Sequence, residues 1–299
     1  MGPQSILFII NKYSGTGFRA DVEGKIIDTC AQAGKECEIQ YTQHRGHATE
    51  LAQQAARNGC PLVFAMGGDG TINEAARGLV HSSTALGILP KGSGNGLARH
   101  LGIPLAFAQA LQLVARHRIE TIDSFLINGH LSVNVSGIGF DGHVASLFGH
   151  RSKRGLIGYT KLVLQEYRTF REFDITLHGD GHTLTRSAFV VALANSSQFG
   201  NNVRVAPLAS VQDQLIDVCV VRKMPLRDAP FFLTRLFNGT AHQSAYTETI
   251  SAQQITIGTR EALPFHVDGE PLPPQKTWEV VVQPRSLRVV LPALSQKKI

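Results

Sequence analysis

A chain of 299 residues is roughly twice the usual single-domain length, so one large domain or two ordinary ones are expected. Hydrophobic residues make up 43% and charged residues 17%, which excludes a disordered chain and allows a full core. Net charge is +6, with basic clusters at Arg116-His117-Arg118 and Arg151-Ser152-Lys153-Arg154; these are either solvated faces or attractors of anionic lipid headgroups or nucleic acid.

The four cysteines, Cys30, Cys37, Cys60 and Cys219, form no C-x-x-C pair, so a reduced, cytoplasmic chain is expected rather than a disulfide or zinc scaffold. No apolar run approaches the ~20 residues of a membrane span, and Ile6–Ile10 is too short for a signal peptide core.

In chain order, the first ~120 residues alternate apolar runs with helical stretches, the pattern of a parallel sheet covered by helices. Strands are expected at Ser5–Ile10, Cys37–Tyr41, Pro61–Met66 and Ala85–Leu89. Helices are expected at Arg19–Ala33, Ala48–Asn58, Thr71–His81, Leu97–Leu101 and Leu105–Arg116. From about Ile122, alternating segments take over at Leu131–Val135, Phe173–His178, Ser187–Leu193, Gln214–Val221, Gln254–Gly258 and Thr277–Gln283. Helical interruptions fall at Gly155–Arg168 and Leu226–Phe237. The expected fold is therefore α/β, a parallel-sheet domain over 1–122 followed by a mostly-β sandwich domain over 123–299.

Three of the early strands run into glycine-rich loops: Asn11-Lys12-Tyr13-Ser14-Gly15-Thr16-Gly17, Gly67-Gly68-Asp69-Gly70-Thr71-Ile72-Asn73-Glu74, and Pro90-Lys91-Gly92-Ser93-Gly94-Asn95-Gly96. Ligands of open parallel sheets bind outside the carboxyl ends of the strands, so these loops can share one crevice. Glycines let a phosphate approach the backbone, and N–H groups at the next helix start point at it. One such loop is as readily a plain strand-to-helix turn; three together favour phosphate binding. Asp69 beside phosphates requires Mg²⁺ or a donor between the charges. The loops complete neither a Walker loop nor the dinucleotide pattern Gly-x-Gly-x-x-Gly/Ala, and protein-kinase signatures are absent.

Late in the chain, Asp268-Gly269-Glu270 sets two carboxylates one residue apart. They lie on one side if extended and separate if Gly269 turns; a bare surface turn before Pro271 is the alternative. Asp141, in Gly137-Ile138-Gly139-Phe140-Asp141-Gly142, is equally a contact for an acceptor's polar head or part of a β-bulge. His143, His178, His182 and His266 show no metal-ligand spacing.

Gly67 to Glu74 resembles the signature of the diacylglycerol-kinase catalytic family, which includes sphingosine and ceramide kinases and bacterial lipid kinases and is related in fold to NAD kinases and phosphofructokinases. Asn11 to Gly15, Leu89 to Arg99, Gly137 to Gly142, and His266-Val267-Asp268-Gly269-Glu270-Pro271 resemble its other motifs in the same order. The resemblance implies ATP as donor, Mg²⁺, and a lipid hydroxyl, diacylglycerol-like or sphingoid, as acceptor. It places ATP contacts on Asn11, Lys12, Tyr13, Ser14, Gly15, Thr42, Gly67, Gly68, Asp69, Gly70, Thr71, Ile72, Asn73 and Ser93. It maps a structural Mg²⁺ site to Ser210, Asp213 and the Leu215 carbonyl. Glu270 is implied as proton acceptor with Asp268 close behind, and Asp69 as a holder of the metal shell through water.

Departures from the family pattern are Lys12 in place of proline, Ser93-Gly94-Asn95-Gly96 in place of Thr-x-Asn-Asp, and Gln214 where glycine is usual. A peripheral contact with the inner membrane face follows from a lipid acceptor; no nucleic-acid partner is implied, and a homodimer is compatible. The alternatives are a soluble-substrate kinase of the NAD kinase type and a non-catalytic nucleotide-binding regulator.

Overall fold

A computed structural model describes residues 5–15, 21–149, 156–179 and 181–293. The basic cluster at 151–154 lies outside them, as do Thr16 and Gly17 of the first loop. The chain divides into two units. One gathers the residues up to Asp123 and those from Pro284 onward; the other is Ser124–Gln283.

The first unit is built on β1 (Ile6–Ile10), β2 (Cys37–Tyr41), β3 (Leu62–Gly67) and β4 (Ala85–Pro90). They pair in parallel in the order β2-β1-β3-β4. β1, β3 and β4 are buried at every residue, which is why they read as continuous apolar runs rather than alternating ones. Phe8 and Phe64 stack at 5.3 Å on neighbouring strands.

The connections are α1 (Val22–Gln32), α2 (His47–Arg57), α3 (Asp69–Leu79) and the short α4 (Gly96–His100). Expected as one helix, Leu105–Arg116 is instead the five-residue α5 (Phe107–Leu111) and a 3₁₀ turn at Gln112–Val114, with a strand beginning at His117. β-branched Ile119 and Thr121 beyond it favour the extended form. That strand is β5 (His117–Ile127), which carries the chain into the second unit.

The second unit holds β6 (His130–Ser132), β7 (Val135–Gly139), α6 (Phe140–Gly149), α7 (Leu156–Thr169), β8 (Phe173–Gly179), β9 (His182–Ala188), β10 (Val190–Ala194), β11 (Ile216–Val221), α8 (Ala229–Asn238), β12 (Thr247–Ala252), β13 (Gln254–Val267) and most of β14 (Glu270–Pro292). Its antiparallel order runs β12-β11-β10-β7-β13-β14, with β8 on β13 and β9 on β8. Its core centres on Trp278, Phe265, Phe125 and the apolar residues of β8, β10 and β11. Phe265 and Trp278 meet edge to face at 6.0 Å.

Two sequence expectations need correction. The stretch from Pro284 was assigned to the second domain but belongs to the first unit. The last part of β14 lies parallel to β4, with Val289 opposite Leu86. Ser286 O accepts the His81 N–H at 2.7 Å, and buried Asp123 accepts the Arg285 N–H at 2.6 Å. Leu287, Val289 and Val290 are fully buried there, a pull that local pattern cannot express. Secondly, the segment after Gly139 is no β-bulge: the backbone turns at Gly139 (φ +96°) and Phe140 begins α6.

Candidate functional site

The three loops are fastened to one another within the first unit. Asn11 donates from Nδ2 to Thr71 Oγ1 at 3.0 Å, and Ser14 Oγ accepts the Gly68 N–H at 2.9 Å. The Lys91 ammonium donates to the carbonyls of Lys12 and Ser14, and burial pushes its pKa below the usual lysine range. Thr42 donates its N–H to Ile10 O at 3.0 Å, which ties the end of β2 to that of β1.

Asp69 has a role that the sequence did not suggest. Its Oδ2 accepts the Asn95 N–H at 2.9 Å and its Oδ1 the Gly96 N–H at 2.7 Å, so it holds the start of α4 against the start of α3. A carboxylate there satisfies donors that a helix start leaves without intrahelical partners. Lys91 and Asn95 complete this framework. The only sequence signal for either was a place in a glycine-rich loop.

The glycines explain the close approach. A Cβ on Gly15, whose φ is +65°, would lie 1.9 Å from the Lys91 carbonyl oxygen; one on Gly92 would lie 2.6 Å from Gly68 Cα. A Cβ on Gly70 would meet nothing within 4 Å, so open space faces the first turn of α3. The first-turn N–H groups of a helix are the natural partners of an anion in such a space. These residues fit a nucleotide's phosphates.

Ile72 and Asn73 are buried, Ile72 in the core and Asn73 as acceptor for Arg77 at 2.8 Å. Tyr13 and Ser93 are exposed. Lys12, in the family's proline position, sets its ammonium 3.5 Å from the centre of the Tyr41 ring. Burial and the Glu23 carboxylate, to which its hydroxyl donates, push Tyr41 up to about 12.

In the second unit, the two carboxylates after β13 are divided by a tight turn. Asp268 (φ +48°) and Gly269 (φ +85°) form a two-residue hairpin that pairs Val267 with Glu270. Asp268 is buried: Ser132 Oγ donates to it at 2.5 Å, Val133 N–H at 3.0 Å and Asn134 N–H at 3.2 Å. Glu270, at the head of β14, is only partly buried.

Behind the hairpin, His266 Nδ1 accepts the Gly269 N–H at 3.0 Å, which leaves the ring proton on Nε2. That nitrogen lies 3.4 Å from Asp141 Oδ2, a buried oxygen with no closer hydrogen-bond partner. Gly137 makes room for the carboxylate, since a Cβ there would lie 1.6 Å from the same oxygen. Thus Asp141 backs the hairpin through His266, a link that residue spacing alone could not reveal.

Ser210, Asp213 and Leu215 fall on one loop. Asp213 Oδ1 accepts the Leu215 N–H at 3.1 Å and Ser210 Oγ the Gln212 N–H at 3.2 Å. Gln214 takes φ +65°, the conformation for which glycine is the usual residue. A hydroxyl, a carboxylate and a carbonyl form an all-oxygen set, which suits a hard cation such as Mg²⁺. Nearby, burial raises the Asp217 carboxyl above its usual range. Within the Arg116–Arg118 cluster, Arg118 donates to Glu120 and to Pro292 O, and Arg116 is exposed.

The model of the diacylglycerol kinase catalytic domain matches residues 5–127, and that of the YegS C-terminal NAD kinase beta sandwich-like domain matches residues 134–291. The chain belongs to the family that joins a diacylglycerol kinase catalytic domain to a YegS C-terminal NAD kinase beta sandwich-like domain. It is 28% identical over 297 residues to a protein named "Probable lipid kinase YegS-like" from Yersinia pestis (strain Pestoides F), covering 97% of each chain. A protein of the same name from Yersinia pseudotuberculosis serotype O:1b (strain IP 31758) matches equally. A putative diacylglycerol kinase from Bacillus anthracis str. Sterne superposes with a TM-score of 0.80 at 25% identity, over 96% of this chain and 97% of that one. Membership assigns the α/β fold with its C-terminal β sandwich, and a kinase of the lipid kinase family. Among the described residues no helix is long and apolar enough to cross a membrane.

Proposed function

We propose that this protein is an ATP-dependent lipid kinase that moves the γ-phosphoryl group of ATP to a lipid hydroxyl, diacylglycerol-like or sphingoid. The observation that carries this reading is the fastening of the Ser14, Gly68 and Asn95 loops around open space at the start of α3, in a lipid-kinase family member.

In this reading the loop backbone and Lys91 position and neutralise the phosphates, which is most of what phosphoryl transfer asks of a protein. Asp69 serves by keeping the start of α4 in place. Glu270 takes the proton of the acceptor hydroxyl as its oxygen bonds to the γ-phosphorus and the bond to the bridging β–γ oxygen breaks, leaving ADP. Asp268, already engaged by three donors, has little capacity left for that role. Mg²⁺ at the phosphates supplies charge neutralisation. At the separate loop, Ser210, Asp213 and the Leu215 carbonyl would hold a structural Mg²⁺. The protein works in the cytoplasm, meeting its acceptor at a membrane surface without crossing it.

The test is transfer of label from ATP, with Mg²⁺, across a panel of diacylglycerol, sphingoid base, ceramide and polyprenol, with wild type and Glu270→Gln side by side. Label should enter one lipid with wild type, and the variant should lose about 10²–10⁴-fold in turnover while binding ATP normally. No transfer to any lipid by a protein that still binds ATP overturns the reading in favour of a soluble acceptor or a nucleotide sensor.

A further inference from the structure

Helix α8 has the wrong surface for a helix that faces water. Its inner side is accounted for by Leu236, packed on the cluster of Val135, Ala192, Val205 and Cys219. Around the rest of its surface, Phe231 is 73% exposed, and Leu233 and Phe237 are exposed as well. No residue of the helix is fully buried and none is acidic. A surface helix ordinarily turns charged residues to solvent and apolar ones inward.

The apolar surface extends past the helix. Leu226, just before it, is exposed, and so is Leu208 at 74%. Leu208 belongs to the segment fixed beside the C-terminal end of α8, where the Arg204 N–H donates to Leu236 O at 3.0 Å. Arg204, beside the C-terminal end of the helix, and Arg227, just before its N-terminal end, are exposed. Asp228, the nearest acid in sequence, accepts from the Tyr246 hydroxyl at 2.6 Å and lies 3.8 Å from the Arg227 guanidinium, which stays 84% exposed.

We infer that this face docks on an anionic lipid bilayer, with Phe231, Leu233, Phe237 and Leu208 entering the acyl boundary and Arg204 and Arg227 meeting the headgroups. Protruding apolar side chains on a helix with no acidic residue of its own, with an exposed arginine near each end, match the charge and polarity of such an interface. A stable protein partner ordinarily covers about 800 Å² on each side, more than a few side chains of a ten-residue helix offer. The surface gains its purpose from the lipid-kinase reading, since the acceptor lies in a membrane. Its residues are not those of the Arg151–Arg154 cluster, to which the sequence alone pointed.

The experiment is sedimentation of the full chain with phosphatidylglycerol-rich vesicles and with pure phosphatidylcholine vesicles, without ATP. Wild type should pellet with the anionic vesicles and be released in part at about 0.5 M salt, where screening is short-ranged. Phe231→Ser/Leu233→Ser/Phe237→Ser should lower the partition at least about tenfold while keeping its thermal midpoint. Arg204→Glu/Arg227→Glu should lower it through charge alone. Undiminished binding by both variants overturns the inference, as does a wild-type dimer that the triple substitution dissociates and that ignores vesicles. Phosphorylation of lipid in detergent micelles separates the two claims. The triple variant should retain it, whereas its absence in wild type would count against the lipid-kinase reading alone.

Discussion

Replacing Asp268 by alanine separates the two carboxylates of the hairpin by their physical roles. The native carboxylate is buried and accepts from Ser132 Oγ, Val133 N–H and Asn134 N–H. Each hydrogen bond to a charged acceptor contributes about 1.5–3 kcal/mol net, so three would sum to roughly 5–9 kcal/mol if independent. They share one acceptor and are not independent, so the loss should be about 4 kcal/mol, in the range found when one side of a buried polar pair is removed. Divided by a urea dependence of about 2 kcal/mol per molar, that loss moves the unfolding midpoint down by roughly 2 M.

Trp278, the single tryptophan and fully buried in the second unit, reports this unfolding by its fluorescence. Glu270→Gln should unfold at the wild-type midpoint and fail only in turnover. If Asp268→Ala unfolds with wild type, or if Glu270→Gln is the one that unfolds early, the division of duties drawn here is refuted.

Three further outcomes are expected. Gly15→Ala should weaken ATP binding by about tenfold or more by calorimetry, because its Cβ cannot coexist with the Lys91 carbonyl oxygen 1.9 Å away and its φ is positive. His266→Leu, which removes both the acceptor for Gly269 N–H and the donor toward Asp141, should cut kcat by about tenfold at unchanged KM for ATP. His266→Gln can supply both roles and should restore most of it; equal kcat in wild type and the leucine variant would remove His266 from the mechanism. The third concerns acid. Burial holds the His100 and His117 imidazoles below their ordinary value of 6.5, so the folded state binds fewer protons than the unfolded chain. Their stability contribution is present above that value and is lost as pH falls below it. The thermal midpoint should fall between about pH 7 and pH 5.5, less steeply in His100→Gln/His117→Gln.

Much of the first unit was legible because its strands are buried on both faces and its helices are amphipathic, so local pattern and final environment agree. β1, β2 and β3 fall within a residue of their expected bounds, and the loops that follow β1, β3 and β4 are where the apolar runs stop. The second unit was harder to read. β5 and β12 went unrecognised, β7 and β9 were touched only at their ends, and β13 and β14 are far longer than the alternating segments that announced them. Antiparallel pairing with a partner distant in sequence decides their length, and bulges such as those between Gly258 and Phe265 interrupt the alternation.

By itself the sequence determined the α/β-then-β order, the three phosphate-type loops and the acidic pair, because each rests on neighbours within a few residues. Tertiary structure alone decided which partner each chemical group has. Asp69 turned to the N–H groups of Asn95 and Gly96, Asp268 to Ser132 and its neighbours, and His266 to the space between Gly269 and Asp141. It also brought the residues after Pro284 back beside β4. Hydrogen bonding and burial act over a few ångströms in space, whereas the residues they join here lie up to 205 positions apart, as Ser83 and Arg288 do.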